Sequence, residues 1–200
     1  MPLEPDGQAM DDSRRKFYTR RGDRGQTRLL SGETLQKDDL RVNTYGALDE
    51  LASHLGMARA LVQESDFRDI LYSIQKDVST ACSELASTPG ALSRLKRRLN
   101  RKDVLKIENW IDDLVDRFGT PRDFRVAGES PDSAALHIAR SVCRRGERRI
   151  VRLNRLKDVH GDLVAYFNRL SDLLFVMAWT MELKTVTRRV IDELAGPRPK

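Results

Sequence analysis

The sequence predicts an all-α protein, a five-helix antiparallel bundle, on three observations. Apolar residues recur at steps of three and four through five separate stretches of about 20 residues each. Short or moderate connections link these stretches, and nothing between them resembles a set of alternating strands. Two hundred residues with 40% hydrophobic content can bury one core without metals or disulfides, so a single domain is expected.

The first helix, about Val42 to Val62, carries Leu48, Leu51, Leu55, Ala58 and Val62 as one apolar stripe. The second, about Phe67 to Ala86, does the same with Ile70, Ile74, Val78, Ala81 and Leu85. The third runs from about Lys102 to Phe118 through Val104, Ile107, Ile111 and Leu114, and Gly119-Thr120-Pro121 ends it. Ser130-Pro131-Asp132 opens the fourth, offering a capping hydroxyl followed by proline at the first helical position. Leu136, Ile138, Val142, Ile150 and Val151 continue that helix, which is unusually rich in arginine. The fifth, about Asp162 to Leu183, has Leu163, Phe167, Leu170, Leu174, Met177 and Ala178 on one side. Leu173, Phe175, Val176 and Trp179 add a second apolar surface, which suits a central helix or one that meets a partner subunit. Residues 1–16 read as a flexible N-terminal tail, 17–190 as the helical domain and 191–200 as a C-terminal tail, both ends being marked by proline and glycine.

The formal charge of +6 favours anionic partners, although both signs alternate along the chain as they do on solvated helix faces. Cys82 and Cys143 form no CxxC pair, and His54, His137 and His160 have no ligand spacing, so no protein-bound metal is expected. No stretch approaches the roughly 18 apolar residues that cross a bilayer, and the N-terminal residues have no apolar core. A cytoplasmic protein with no membrane association is the expectation.

Three segments carry chemistry. The stretch Tyr18-Thr19-Arg20-Arg21-Gly22-Asp23-Arg24-Gly25-Gln26-Thr27 combines two glycines, two threonines and three arginines. Glycines let backbone N–H groups converge on an oxyanion, and the side chains add hydroxyl donors and charge. The segment therefore reads as a phosphate-binding loop or as a flexible basic arm; it is not a Walker A loop, and Lys37 could return a further cation to it. On the fourth helix Arg140, Arg144, Glu147 and Arg148 share one face and Arg145, Arg149 and Arg152 make the neighbouring stripe. That face is a polyphosphate clamp or a solvated surface with internal pairs. Asn168, set in a largely apolar stretch, is either a hydrogen-bonded core residue or a ligand contact.

Four ordered blocks, YTRRGDRGQTRLLSGE, KDDLRVNTYGALDEL, SAALHIARSVCRRGERRIV and YFNRLSDLLFVMA, together resemble the propanediol-utilization type of ATP:cob(I)alamin adenosyltransferase from about Phe17 to Leu183. The resemblance implies a ferritin-like bundle assembled as a homotrimer. In it ATP lies between subunits, held by the N-terminal loop of one chain and the helical arginines of its neighbour. It places ATP contacts on Thr19, Arg20, Arg21, Gly22, Thr27 and Lys37, and on Arg144, Arg145, Glu147, Arg148 and Asn168. Among these Arg144 also counts as catalytic. Asp49 would pair with Arg140 across the interface, and Phe124 would pack beneath the corrin and keep the lower position of cobalt empty. The implied substrates are ATP, carried with Mg²⁺, and cobalamin or a related corrinoid.

The pattern departs from the family on the corrin side. Ala127 stands where proline is usual and Glu129 where glycine is usual, so corrinoid preference or turnover could differ. Gly146 replaces a common alanine at a cost of about 1 kcal/mol in helix propensity. Besides an active transferase, the residues admit a non-catalytic ATP or corrinoid binder acting as carrier, chaperone or sensor. A nucleic-acid binder fits less well, because no aromatic residues interleave with the basic ones.

Overall fold

The computed structural model describes residues 18, 20–121, 126–157 and 161–196. Five α-helices run through them: α1 Leu40–Leu61, α2 Ser65–Leu85, α3 Arg101–Phe118, α4 Pro131–Lys157 and α5 Gly161–Ala195. A 3-10 turn, Pro89–Arg94, lies between α2 and α3. The helices form the expected bundle, in which α1 packs on α2 and α4, and α5 packs on α3 and α4.

Local chemistry sets the helix ends. Asp39 caps α1 by accepting from the Arg41 N–H at 2.7 Å. Asn100 and Asp103 close a reciprocal capping box on α3, and Gly119, with φ of 69°, ends that helix in a conformation that favours glycine. The core is built from Leu48, Leu51 and Leu55 of α1, Phe67, Leu71 and Ile74 of α2, Ile107 and Leu114 of α3, and Phe167, Leu170 and Leu174 of α5, all at or near zero exposure. On α4 the inward positions are Leu136, Ala139, Cys143, Ile150 and Leu153, whereas Ile138 is 44% exposed and lies off the core side.

Three features differ from the sequence reading. Gln26–Arg28 and Thr34–Gln36 form a small antiparallel hairpin, β1 and β2, with Thr27 opposite Leu35, where irregular backbone is expected. Helix α5 continues twelve residues beyond Leu183, so residues 191–195 of the expected tail are helical. Gly146 is a packing requirement as well as a propensity cost, because a Cβ there would lie 2.7 Å from Leu48 Cδ2 across the α1–α4 contact.

The hairpin is hung on the end of α2. Leu30 N–H donates to the Ala86 carbonyl at 2.9 Å, Thr88 Oγ1 donates to Glu33 Oε1 at 3.0 Å, and Leu29 is buried. From the start of α1 the buried Arg41 sends Nη1 to the Leu85 and Ser87 carbonyls at 2.8 and 3.0 Å, answering acceptors that a helix end leaves open.

Candidate functional site

The site begins at the glycine turn before β1. Arg20 is the only non-glycine residue with positive φ among the described residues, at 58°, and two successive turns follow, Asp23 N–H to Arg20 O and Gly25 N–H to Gly22 O. Backbone held in this sparsely populated region marks a segment shaped for something other than its own stability. The turns bring Lys37 back onto the loop, since a Cβ at Gly22 would sit 3.1 Å from Lys37 Nζ. Lys37 is also tied through its backbone N–H to Gly25 O at 2.8 Å. Arg21, Gly22, Thr27, Arg28 and Lys37 thus line one cavity of about 630 Å³, and the lysine ten residues downstream does face the loop.

This cavity adjoins a second, of about 470 Å³, through shared Thr27 and Lys37; α1 contributes Asn43 and Glu50 to it and α4 contributes Arg149. A third, of about 630 Å³, shares Asn43 and Arg149 and adds Asp38, Arg145, Arg148 and Arg152. Within one chain, hairpin and arginine helix therefore border three adjoining clefts that carry a surplus of basic side chains. Glu50 binds the Arg145 guanidinium, and this bond first, then the charge, holds its carboxyl below the usual carboxylate range. Arg149 Nη1 donates to the Asn43 carbonyl at 2.8 Å.

The other predicted residues lie on the opposite flank of α4. Asn168 Nδ2 donates to Glu147 Oε1 at 3.1 Å, and Arg169 Nη1 donates to Asn168 Oδ1 at 2.7 Å. Glu108 in turn accepts from Arg169 Nε at 3.1 Å. The amide is thus oriented at both ends, with one N–H and one lone pair to spare. Arg144 and Arg148 are exposed along the crest between the two flanks. None of these three cavities is lined by both the hairpin and Glu147 or Asn168.

Asp49 is exposed on α1, and among the described residues no ion pair joins it to Arg140. Arg140 sits with its guanidinium 5.8 Å from the Phe175 ring centroid and its Nε buried without a hydrogen-bond partner. Thr19 and Phe124 lie outside the described residues. Glu129 is exposed, and Arg189 from the far end of α5 donates to both its carboxylate, at 3.0 Å, and its carbonyl, at 2.9 Å. Sequence reading missed Arg41, Asn43, Glu50 and Arg169. The first two lie in the KDDLRVN block, where only a buried charge and an amide near a helix start could have marked them.

Among the described residues no three His, Cys, Asp or Glu side chains converge on a metal position. No described helix is long and apolar enough to cross a membrane. Cys82 and Cys143 are free thiols; burial, with Asp49 adding to it, pushes Cys82 up to about 12, and burial likewise raises Cys143.

The family model described as cobalamin adenosyltransferase matches residues 17–181. A corrinoid adenosyltransferase of Citrobacter freundii is 39% identical, over 82% of this chain and 93% of its own. A corrinoid adenosyltransferase of Bacillus subtilis is 38% identical over 82% and 84%, and the human corrinoid adenosyltransferase MMAB is 34% identical over 82% and 67%. Among solved structures, a variant PduO-type ATP:corrinoid adenosyltransferase from Lactobacillus reuteri, complexed with cobalamin and ATP, superposes with a TM-score of 0.79 at 30% identity. It covers 84% of this chain and 94% of that one.

Proposed function

The chain belongs to the cobalamin adenosyltransferase family, and from that premise we propose that it transfers the 5′-deoxyadenosyl group of ATP to the cobalt of a reduced corrinoid. The observation that carries this reading is the meeting of Gly22, Thr27 and Lys37 in a cavity that adjoins, through Thr27 and Lys37, a second one reaching Arg149 of α4. Cobalt supplies the electron pair that forms the Co–C5′ bond, the C5′–O bond breaks, and its electrons leave on the triphosphate oxygen. No protein base is required. The residues must align the nucleotide, exclude water and stabilise charge that grows on the leaving oxygens.

Lys37 and Thr27, with Gly22 and the Arg20-Arg21 turn, are assigned to the phosphates. Arg144, Arg145 and Arg148 supply planar forks that match phosphoryl oxygens. Glu147 and Asn168 orient one another and present the remaining amide valences to the nucleotide. Magnesium carried with the nucleotide would shield the phosphate charge. Thr19 completes the loop contacts and Phe124 the lower corrin face.

Assembly as a homotrimer follows from the same reading. The hairpin and the Glu147–Asn168 pair lie on different flanks of α4, an arrangement that a neighbouring chain's hairpin would complete. Arg140 is half-buried and has no ion pair with a described carboxylate, so its guanidinium suits a carboxylate from outside the chain, with Asp49 of the neighbour in that role. The free thiols suit a reducing compartment, and the cytoplasm is the place proposed. Glu129 is engaged by Arg189, so its charge is already answered, which favours an active enzyme over a non-catalytic binder.

Incubation with ATP, magnesium and chemically reduced cobalamin tests the reaction. The corrin absorption is expected to change to that of the adenosylated product, and ATP binding with no such change would overturn it. Light scattering should give the mass of three chains.

A further inference from the structure

The third cavity holds two arginines, Arg149 and Arg152, that the proposed adenosyl transfer does not use. Its lining sets one carboxylate, Asp38, against Arg145, Arg148, Arg149 and Arg152. Arg145 and Arg149 are held in place by Glu50 and by the Asn43 carbonyl. Arg148 and Arg152 are exposed one helical turn apart, and among the described residues neither has an ion-pair partner. Like charges at this spacing repel and weaken a helix, and a polyanion between them would remove the penalty.

We infer that Arg149 and Arg152, the two arginines of this cavity not assigned to the nucleotide, form a polyphosphate site next to the nucleotide contacts at Arg145 and Arg148, which takes inorganic triphosphate as it leaves them. The inference rests on the reaction proposed above, since that reaction is what makes triphosphate. Position supports it. The cavity meets the one at Thr27 and Lys37 through Asn43 and Arg149, so a phosphate chain released by Lys37 encounters Arg149 first and Arg152 beyond it. A volume of about 630 Å³ lies within the range of small-ligand sites. Its lining has no aromatic ring on which a base could stack, which fits a bare polyphosphate better than a second nucleotide or a nucleic acid strand. The site is a station on the product's way out, and it keeps the released anion from returning to Lys37.

Isothermal titration of the full chain with sodium tripolyphosphate, and separately with ATP, tests this without corrinoid or turnover. Arg152 is exposed, so its replacement leaves the core untouched. In Arg152→Ala the Kd for tripolyphosphate is expected to rise about tenfold while that for ATP rises less than about threefold, and Arg152→Lys should recover part of the loss. Equal weakening of both ligands would assign Arg152 to the ATP site and overturn the inference, as would no weakening of either. A protein that forms no adenosylated corrinoid, yet loses tripolyphosphate selectively in Arg152→Ala, would keep this site and lose the reaction.

Discussion

Arg144 stands exposed on the crest of α4, where it supports no core contact and is free to meet charge that builds on a leaving group. Replacing it with alanine, which suits a helix, should cut kcat by about 10²- to 10³-fold while moving the melting temperature by no more than about 2 °C. Steady-state kinetics alongside thermal melts check this, and an unchanged rate would remove Arg144 from the chemistry. Gly146 is the opposite kind of residue. Alanine there gains about 1 kcal/mol in helix propensity, but its Cβ would press on the fully buried Leu48, and overpacking of a core costs about 1–3 kcal/mol. Net destabilisation of about 1 kcal/mol by denaturant titration is expected for Gly146→Ala, relieved when Leu48→Val is added. The composition of α4 could suggest arginines for phosphate. It could not reveal that Glu147 and Asn168, twenty-one residues apart, meet at 3.1 Å, because that contact depends on how α4 and α5 are rotated against each other. Nor could the glycine's role be read, since it is set by a methyl group on another helix.

The helices were legible as elements because each repeats its apolar step several times, so that a single misplaced residue, such as the exposed Ile138, does not spoil the pattern. The hairpin was not, because three-residue strands carry too little alternation to stand out from a loop. Its stability comes from elsewhere, through Leu29, Glu33 and the buried guanidinium of Arg41. Arg41→Met would leave the Leu85 and Ser87 carbonyls without that donor, at a cost of about 1–3 kcal/mol. The Leu30 amide, bonded to Ala86 O, should then exchange with solvent faster, and ATP affinity should fall with it. Exchange measured by NMR at that amide tests the link, and unaltered protection would show that the hairpin holds without Arg41. The end of α5 escaped notice for a related reason. Beyond Leu183 its apolar residues, Val186, Val190, Ile191 and Leu194, are 41 to 83% exposed, and a helix continues there without a core to impose a pattern.

Across the whole molecule, one polar cluster ties four parts of the chain. Asp77 of α2 accepts from Tyr166 of α5 at 3.0 Å, from Lys106 of α3 at 2.7 Å and from Arg97 of the preceding loop at 2.9 Å. Burial first, and Asp77 next, hold the Tyr166 phenol well above its ordinary 10. The folded chain thus keeps a proton that the unfolded chain gives up, so this contribution is complete below about pH 10 and is lost as pH rises through the folded value. Melting temperatures of the protein and of Tyr166→Phe should converge above about pH 10, and a constant gap would place the proton elsewhere. The bundle and its chain order were legible from the sequence, but this cluster was not, because a tyrosine and an aspartate on apolar faces do not announce that they meet. The suspension of the hairpin from α2 also bears on which changes of chain length the gene can survive. A helix turns roughly 100° per residue, so one codon inserted in α2 before Leu85 would rotate the Leu85 and Ser87 carbonyls out of line with Arg41 and swing the hairpin and its glycine turn away with them. The same codon added between Val190 and Ala195 would lengthen an exposed helix end and disturb little else. Descendants of this sequence should therefore vary in length at the end of α5 and stay fixed from Phe67 to Ser87.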